Sequence, residues 1–178
     1  MVITSANGTV SHNPVMFNIG GRIMIPMIIK TKGIVHERVE DAPFMGALIS
    51  AVDCNLNCKG CFNQHLKDLP NIEMDSEDIL DEVTNDPFNE GIILAGLEWS
   101  LQPKELREMV NSARKRKLKV IVYSGLSEED FKKKFPDIYG LKGDMYFKFG
   151  KYDEKLKVNN NIQYDVKLAT SNQKILKK

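Results

Sequence analysis

Three cysteines, Cys54, Cys58 and Cys61, are the only thiols among the 178 residues, and all lie in "DCNLNCKGCFNQ" (53–64). Thiolates are soft ligands suited to iron–sulfur clusters and zinc. Iron–sulfur clusters are usually held by four cysteines. With three, a four-iron cluster keeps one iron open to an outside ligand, and an open metal position marks a site for chemistry rather than for structure. Asn55, Asn57, Gly60 and Asn63 favour a turning backbone that can wrap a cluster and direct N–H groups at its sulfurs. Two other chemistries stay open. His65, four residues after Cys61, completes a conceivable Cys3His zinc set. Cys58-x-x-Cys61 alone has the spacing of a redox pair, which leaves Cys54 without a role.

Further candidates lie downstream. "LAGLEWSLQP" (94–103) contains Gly96, where a backbone can approach a ligand closely, and Glu98, whose carboxylate can pair with an ammonium group. A strand-end turn with a solvated Glu98 is the plainer reading. Ser124 has a hydroxyl that could reach a ribose, or serves only in a helix-leading turn. Asp144 is either a strand-end carboxylate or a turn residue. Trp99 suits a ligand pocket or the core equally.

The elements that must position these residues alternate from Gly46 onward. "GALISAV" (46–52), "GIILAG" (91–96), "LKVIVYSG" (118–125) and "GDMYFKFG" (143–150) read as strands. Between them lie three helical patterns. The first, within 74–86, is capped by Asp75 or Ser76 and has apolar Ile79, Leu80 and Val83 at helical spacing. The second (102–117) has Pro103 in its first turn and a basic last turn. The third (127–135) is capped by Ser127 and stopped by Pro136. Strand, loop, helix, strand at this spacing predicts βαβ units and a parallel sheet. Four strands are too few for a closed eight-stranded barrel, so the expected fold is α/β, an open or partial parallel barrel. Its working surface should be the carboxyl ends of the strands, where the cysteine loop falls. Residues 1–45, punctuated by Pro14, Gly20, Gly21, Pro26, Gly33 and Pro43, read as a β-rich N-terminal extension to a domain spanning 46–178.

Composition narrows the rest. A formal net charge of +1 gives no bulk electrostatic case for nucleic acid or an anionic membrane. The apolar run at 23–29 contains Pro26 and is far short of a membrane span. The first residues lack the pattern of a signal peptide, so a cytoplasmic, reducing location is expected, where clustered cysteines are metal ligands or catalytic thiols. Basic runs at 114–117 and 132–134 read as solvated helix ends, and the terminal "KILKK" as a frayed tail.

The Cys54-x3-Cys58-x2-Cys61 loop after the first strand resembles the cluster-binding loop of the radical S-adenosylmethionine superfamily. That resemblance implies a 4Fe–4S cluster on the three cysteines, with S-adenosylmethionine chelating the fourth iron and cleaved to a 5′-deoxyadenosyl radical. Gly96 and Glu98 match part of the Gly-Gly-Glu-Pro segment that positions the methionine amino group, while Leu97 and Trp99 depart from it. More finely, "CNLNCKGCFNQ", "GLEWSLQP", "VIVYSGLSEED", the Gly-Asp-x-x-x-x-Phe strand and "TSNQKIL" occur in the order found in activating proteins of anaerobic ribonucleoside-triphosphate reductases. Phe62 replaces their usual His, and Lys148 stands where they often carry a second Asp. This resemblance covers roughly residues 46–176. It implies an activase that abstracts a glycine hydrogen from a glycyl-radical enzyme, the reductase large subunit, with an electron donor such as a flavodoxin. Gly96, Glu98, Ser124 and Asp144 would then be cosubstrate contacts. A radical enzyme modifying a small molecule such as a nucleoside, and a zinc-stabilised binding module, are the alternatives.

Overall fold

The protein is described here from a computed structural model, which covers residues 27–178 throughout and the backbone of Phe17–Ile19 (β1) and Arg22–Met24 (β2). The expected turns at Pro14, Gly20, Gly21 and Pro26 lie outside the described residues.

Four strands of β-branched and small apolar residues form the centre of the sheet: β5 (Gly46–Ser50), β7 (Gly91–Ala95), β8 (Lys119–Ser124) and β9 (Met145–Phe149). They pair in parallel in that order. Their near-continuous apolar runs suit strands covered on both faces. Antiparallel strands close the two ends. β4 (Gly33–Arg38) pairs with β5, and β12 (Lys174–Lys177) pairs with β9, giving a six-stranded order β12-β9-β8-β7-β5-β4. The fold is therefore α/β with a mostly parallel central sheet. β3 (Ile28–Thr31) makes a separate ribbon with β6 (Ile72–Asp75).

The terminal segment is a correction to the frayed tail expected from sequence. Ile175 is buried and the segment hydrogen-bonds along β9 from Lys174 to Lys177. A four-residue edge strand with basic residues at its ends buries only alternate side chains, so it reads from sequence as a solvated tail.

The helices connect successive strands: α1 (Ser76–Asn85), α2 (Pro103–Lys115) and α3 (Glu128–Lys134). Asp75 caps α1 by accepting from the Glu77 N–H, and Ser127 caps α3 by accepting from the Asp130 N–H. Pro136 does more than stop α3. It begins α4 (Pro136–Tyr139) at a first-turn position, where its missing N–H is no loss.

Alternation along the strands separates two apolar layers. Ile49, Leu94, Val122 and Phe147 face the helices and pack with Ile79, Val110 and Phe131. Ile93, Ile121 and Tyr146 face the other way, onto Phe44 and onto Val166 and Leu168 at the end of a short hairpin, β10 (Ile162–Gln163) and β11 (Val166–Lys167). Among the described residues, loops and this hairpin cover the second face, which leaves room there for a cavity. Trp99 resolves to the core: it is fully buried and its Nε1 donates to Ile49 O at 3.0 Å. Among the described residues, no helix is long and apolar enough to cross a membrane.

Phe131 holds the helical layer together, with ring contacts to Phe135, Phe147 and Phe149. Phe131→Ala should lower unfolding stability by about 3–5 kcal/mol, read as a lower urea midpoint, because the site cannot collapse around a missing ring.

Candidate functional site

The cysteine loop leaves β5 at Val52 and crosses the carboxyl ends of the parallel strands. Asn57 (φ +46°) and Gly60 (φ +72°) take left-handed conformations, as expected for a stretch rich in Asn and Gly. Hydrogen bonds fasten the loop to the segment after β7. The Val52 N–H donates to Gln102 Oε1, the Glu98 N–H to Asp53 O, and Asn63 Nδ2 to Gly96 O. Gly96 has φ +78°, and a Cβ there would lie 2.5 Å from Ser50 Oγ. The position therefore needs glycine both for its conformation and for the close approach of two strand ends.

Cys54, Cys58 and Cys61 are free thiols, partly exposed, and all three line one cavity of about 520 Å³. Gly96, Glu98 and Ser124 line the same cavity. Six of the seven site residues expected from sequence are thus brought together. Asp144 is the exception. It is exposed and precedes β9, so it lies at the amino end of the strand, away from the cavity. Its backbone oxygen accepts from the Val120 N–H. His65 is exposed, outside the cavity lining, with Nδ1 2.9 Å from Phe62 O.

Glu98 is not the solvated turn residue of the plainer reading, being only 3% exposed. Its Oε1 accepts from Ser124 Oγ at 2.9 Å and from the Ser100 N–H at 3.1 Å. Its Oε2 accepts from the Gly125 N–H at 2.7 Å. A carboxylate has about four acceptor positions, so one position on Oε2 is left for a ligand. Glu98 and Ser124 are therefore one unit, joining the ends of β7 and β8 under the cysteine loop.

Three further residues of the cavity were not among the site candidates read from sequence. Lys148, on β9, lines the cavity and is 9% exposed. Its signal was visible, as the only charged residue in an otherwise apolar strand. Tyr123 lines the cavity and its hydroxyl donates to Asp41 O at 2.8 Å. Burial pushes its phenol well above the ordinary range. Gln173, in "TSNQKIL", is held over the end of β9 by accepting from the Ala169 and Thr170 N–H groups and donating to Gly150 O. Its placement depends on β12 folding back, which spacing alone does not show.

The donor set can be tested against the groups it could hold. Among the described residues, no three His, Cys, Asp or Glu side chains converge to hold a single ion. A four-iron cluster makes a different demand, since each thiolate takes its own iron. Three thiols spread around one cavity on a turning loop fit that demand. Burial raises the Cys54 thiol, and the nearby Glu98 and Cys58 charges add to this, so ligation there must displace a proton.

Glu98→Ala would leave the Ser124 hydroxyl and two N–H groups without their acceptor. It should destabilise the cluster-free chain by on the order of 3 kcal/mol in urea denaturation. A Glu98 that served only to contact a ligand would leave that midpoint unchanged.

A comparison with curated proteins gives no match. Residues 45–175, from the start of β5 through the first half of β12, match the sequence model of the 4Fe–4S single cluster domain. The match contains the whole cysteine loop and the ends of all four parallel strands, and on that extent the chain belongs to the 4Fe–4S single cluster domain family.

Proposed function

We propose that this chain is a radical S-adenosylmethionine enzyme of the activase type, which installs a glycyl radical on a partner enzyme. One observation carries the reading: every thiol of the chain faces a single cavity at the carboxyl ends of the parallel strands, and there is no fourth. A four-iron cluster held by Cys54, Cys58 and Cys61 keeps one iron without a protein thiolate. When bound, the cluster would supply the electron that cleaves S-adenosylmethionine, and the resulting 5′-deoxyadenosyl radical would take the glycine hydrogen.

The chain's own residues have defined tasks in this reading. Cys54, Cys58 and Cys61 hold the cluster. Gly96 lets the β7 segment close against β5, and its carbonyl anchors Asn63 of the cysteine loop. Glu98 offers its remaining Oε2 acceptor position to the methionine ammonium while fixing Ser124 and the Gly125 N–H. A cavity of about 520 Å³ is in the range of small-molecule sites. The partner is proposed to be the large subunit of an anaerobic ribonucleotide reductase, in the cytoplasm, with a flavodoxin-type donor. In this reading Phe62, 87% exposed on the cysteine loop at the cavity, would meet the partner's glycine-bearing loop.

A second reading is a radical enzyme acting on a small molecule. It is favoured by Glu40 and Asp41, which follow β4 and bring part of the N-terminal region into the cavity lining.

Anaerobic reconstitution with iron and sulfide should give a brown protein with about four irons and four sulfides per chain. Dithionite and S-adenosylmethionine should then yield 5′-deoxyadenosine, and Cys54→Ala, Cys58→Ala or Cys61→Ala should each abolish it. Co-incubation with the reductase large subunit should produce a glycyl radical signal in electron paramagnetic resonance. A cluster-loaded chain that leaves S-adenosylmethionine intact after reduction would overturn the reading. 5′-Deoxyadenosine formation with no partner radical would favour the small-molecule alternative.

A further inference from the structure

Lys148 is the one charged side chain on β9, between Phe147 and Phe149. The Phe neighbours face the helices, and Lys148 faces the opposite side with Tyr123 on β8. Its Nζ lies 5.4 Å from the Tyr123 ring centroid and donates to Gly150 O at 3.0 Å. An ammonium has three donors, and Gly150 O is its hydrogen-bonded acceptor among the described residues. A buried cation with so little compensation is costly. Desolvation accordingly lowers its pKa to about 8, and the negative charges of Glu98, Cys58 and Cys61 oppose that shift. Those three are the anionic groups that act on it, and Tyr123 is kept neutral by burial.

Among the described residues, the fold uses this cation for one hydrogen bond, to Gly150 O, and for its place over the Tyr123 ring, and no carboxylate forms an ion pair with it. The cavity that Lys148 lines is where the thiols lie. A thiolate-bound 4Fe–4S cluster carries negative charge, and taking up an electron makes it more negative. Net charge near a cluster is one of the terms that set its potential.

We propose that Lys148 is a counter-charge built into the cavity wall for the cluster, stabilising the reduced state over the oxidised one and so raising the cluster's reduction potential. Reduction adds one electron from a low-potential one-electron donor. No bond is made or broken, and Lys148 stays protonated on both sides of the step. Lys151, Lys157 and Lys167, at the same cavity, are exposed and screened by water and salt, so they contribute less. The inference rests on the bound cluster, not on the glycyl-radical reading.

The test is a potentiometric titration of the reconstituted full chain at fixed neutral pH, following the reduced cluster by electron paramagnetic resonance. Lys148→Met and Lys148→Gln should shift the midpoint to more negative potential with iron and sulfide content unchanged, while Lys148→Arg keeps the wild-type midpoint. If both neutral variants lose the cluster and Lys148→Arg keeps it, the charge is again what matters, and the proposal stands. An unchanged midpoint in either neutral variant, or loss of the cluster in all three, overturns it by reducing Lys148 to a packing residue. A chain that shows the shift but does not cleave S-adenosylmethionine sinks the activase reading alone.

Discussion

The Glu98 carboxylate is the interaction on which the rest of this site depends. It is almost wholly removed from water, and such a group persists only where donors replace its hydration. Ser124 Oγ, the Gly125 N–H and the Ser100 N–H do so, and they come from the ends of two neighbouring strands. The carboxylate thereby fixes how the β7 and β8 segments meet. The cysteine loop is in turn fastened to the β7 segment through Glu98 N–H, Gly96 O and Gln102 Oε1. The positions of three thiols thus trace back to one buried charge and the hydrogen bonds around it.

The sheet makes this concentration possible. Parallel strands place all their carboxyl ends on one edge, so four consecutive strands deliver four loops to the same place. The helices take one face, where Phe131 and its aromatic neighbours fill the layer. The other face is covered by Phe44 and by the hairpin residues Val166 and Leu168. Loops and a short hairpin cover less completely than helices, and a cavity of about 520 Å³ remains. Lys148 and Tyr123 belong to this looser face, which is why a cation sits beside the thiols rather than in the dense aromatic layer.

The charges in the cavity explain why the site is asymmetric. Glu98 carries its negative charge at the floor with its hydrogen bonds largely satisfied, whereas Lys148 carries a positive charge with one acceptor. The first arrangement is stable without any ligand. The second gains from whatever negative charge enters, which is the physical difference between a group that builds a site and a group that awaits an occupant.

The sequence by itself determined the parallel core and the location of the thiols. Apolar runs such as "GIILA" and capped helices such as that begun by Asp75 are local patterns, set by side-chain periodicity and capping chemistry within a few residues. Cys-x3-Cys-x2-Cys after a strand is likewise local, so its place at the carboxyl edge was legible. What only the tertiary structure decided concerns partners distant in the chain. Glu98 could be read as a solvated turn until Ser124, 26 residues on, was seen to donate to it. Trp99 belonged equally to pocket or core until Ile49 O accepted its indole proton. Asp144 is the opposite case: it opens its strand, and in a parallel sheet that alone puts it at the amino edge, away from the loops that follow the carboxyl ends. The burial of Lys148 and the pairing of β12 were hidden for a different reason from the motifs: whether a lysine is buried, or a four-residue tail is paired, depends on which surface the chain folds back to cover.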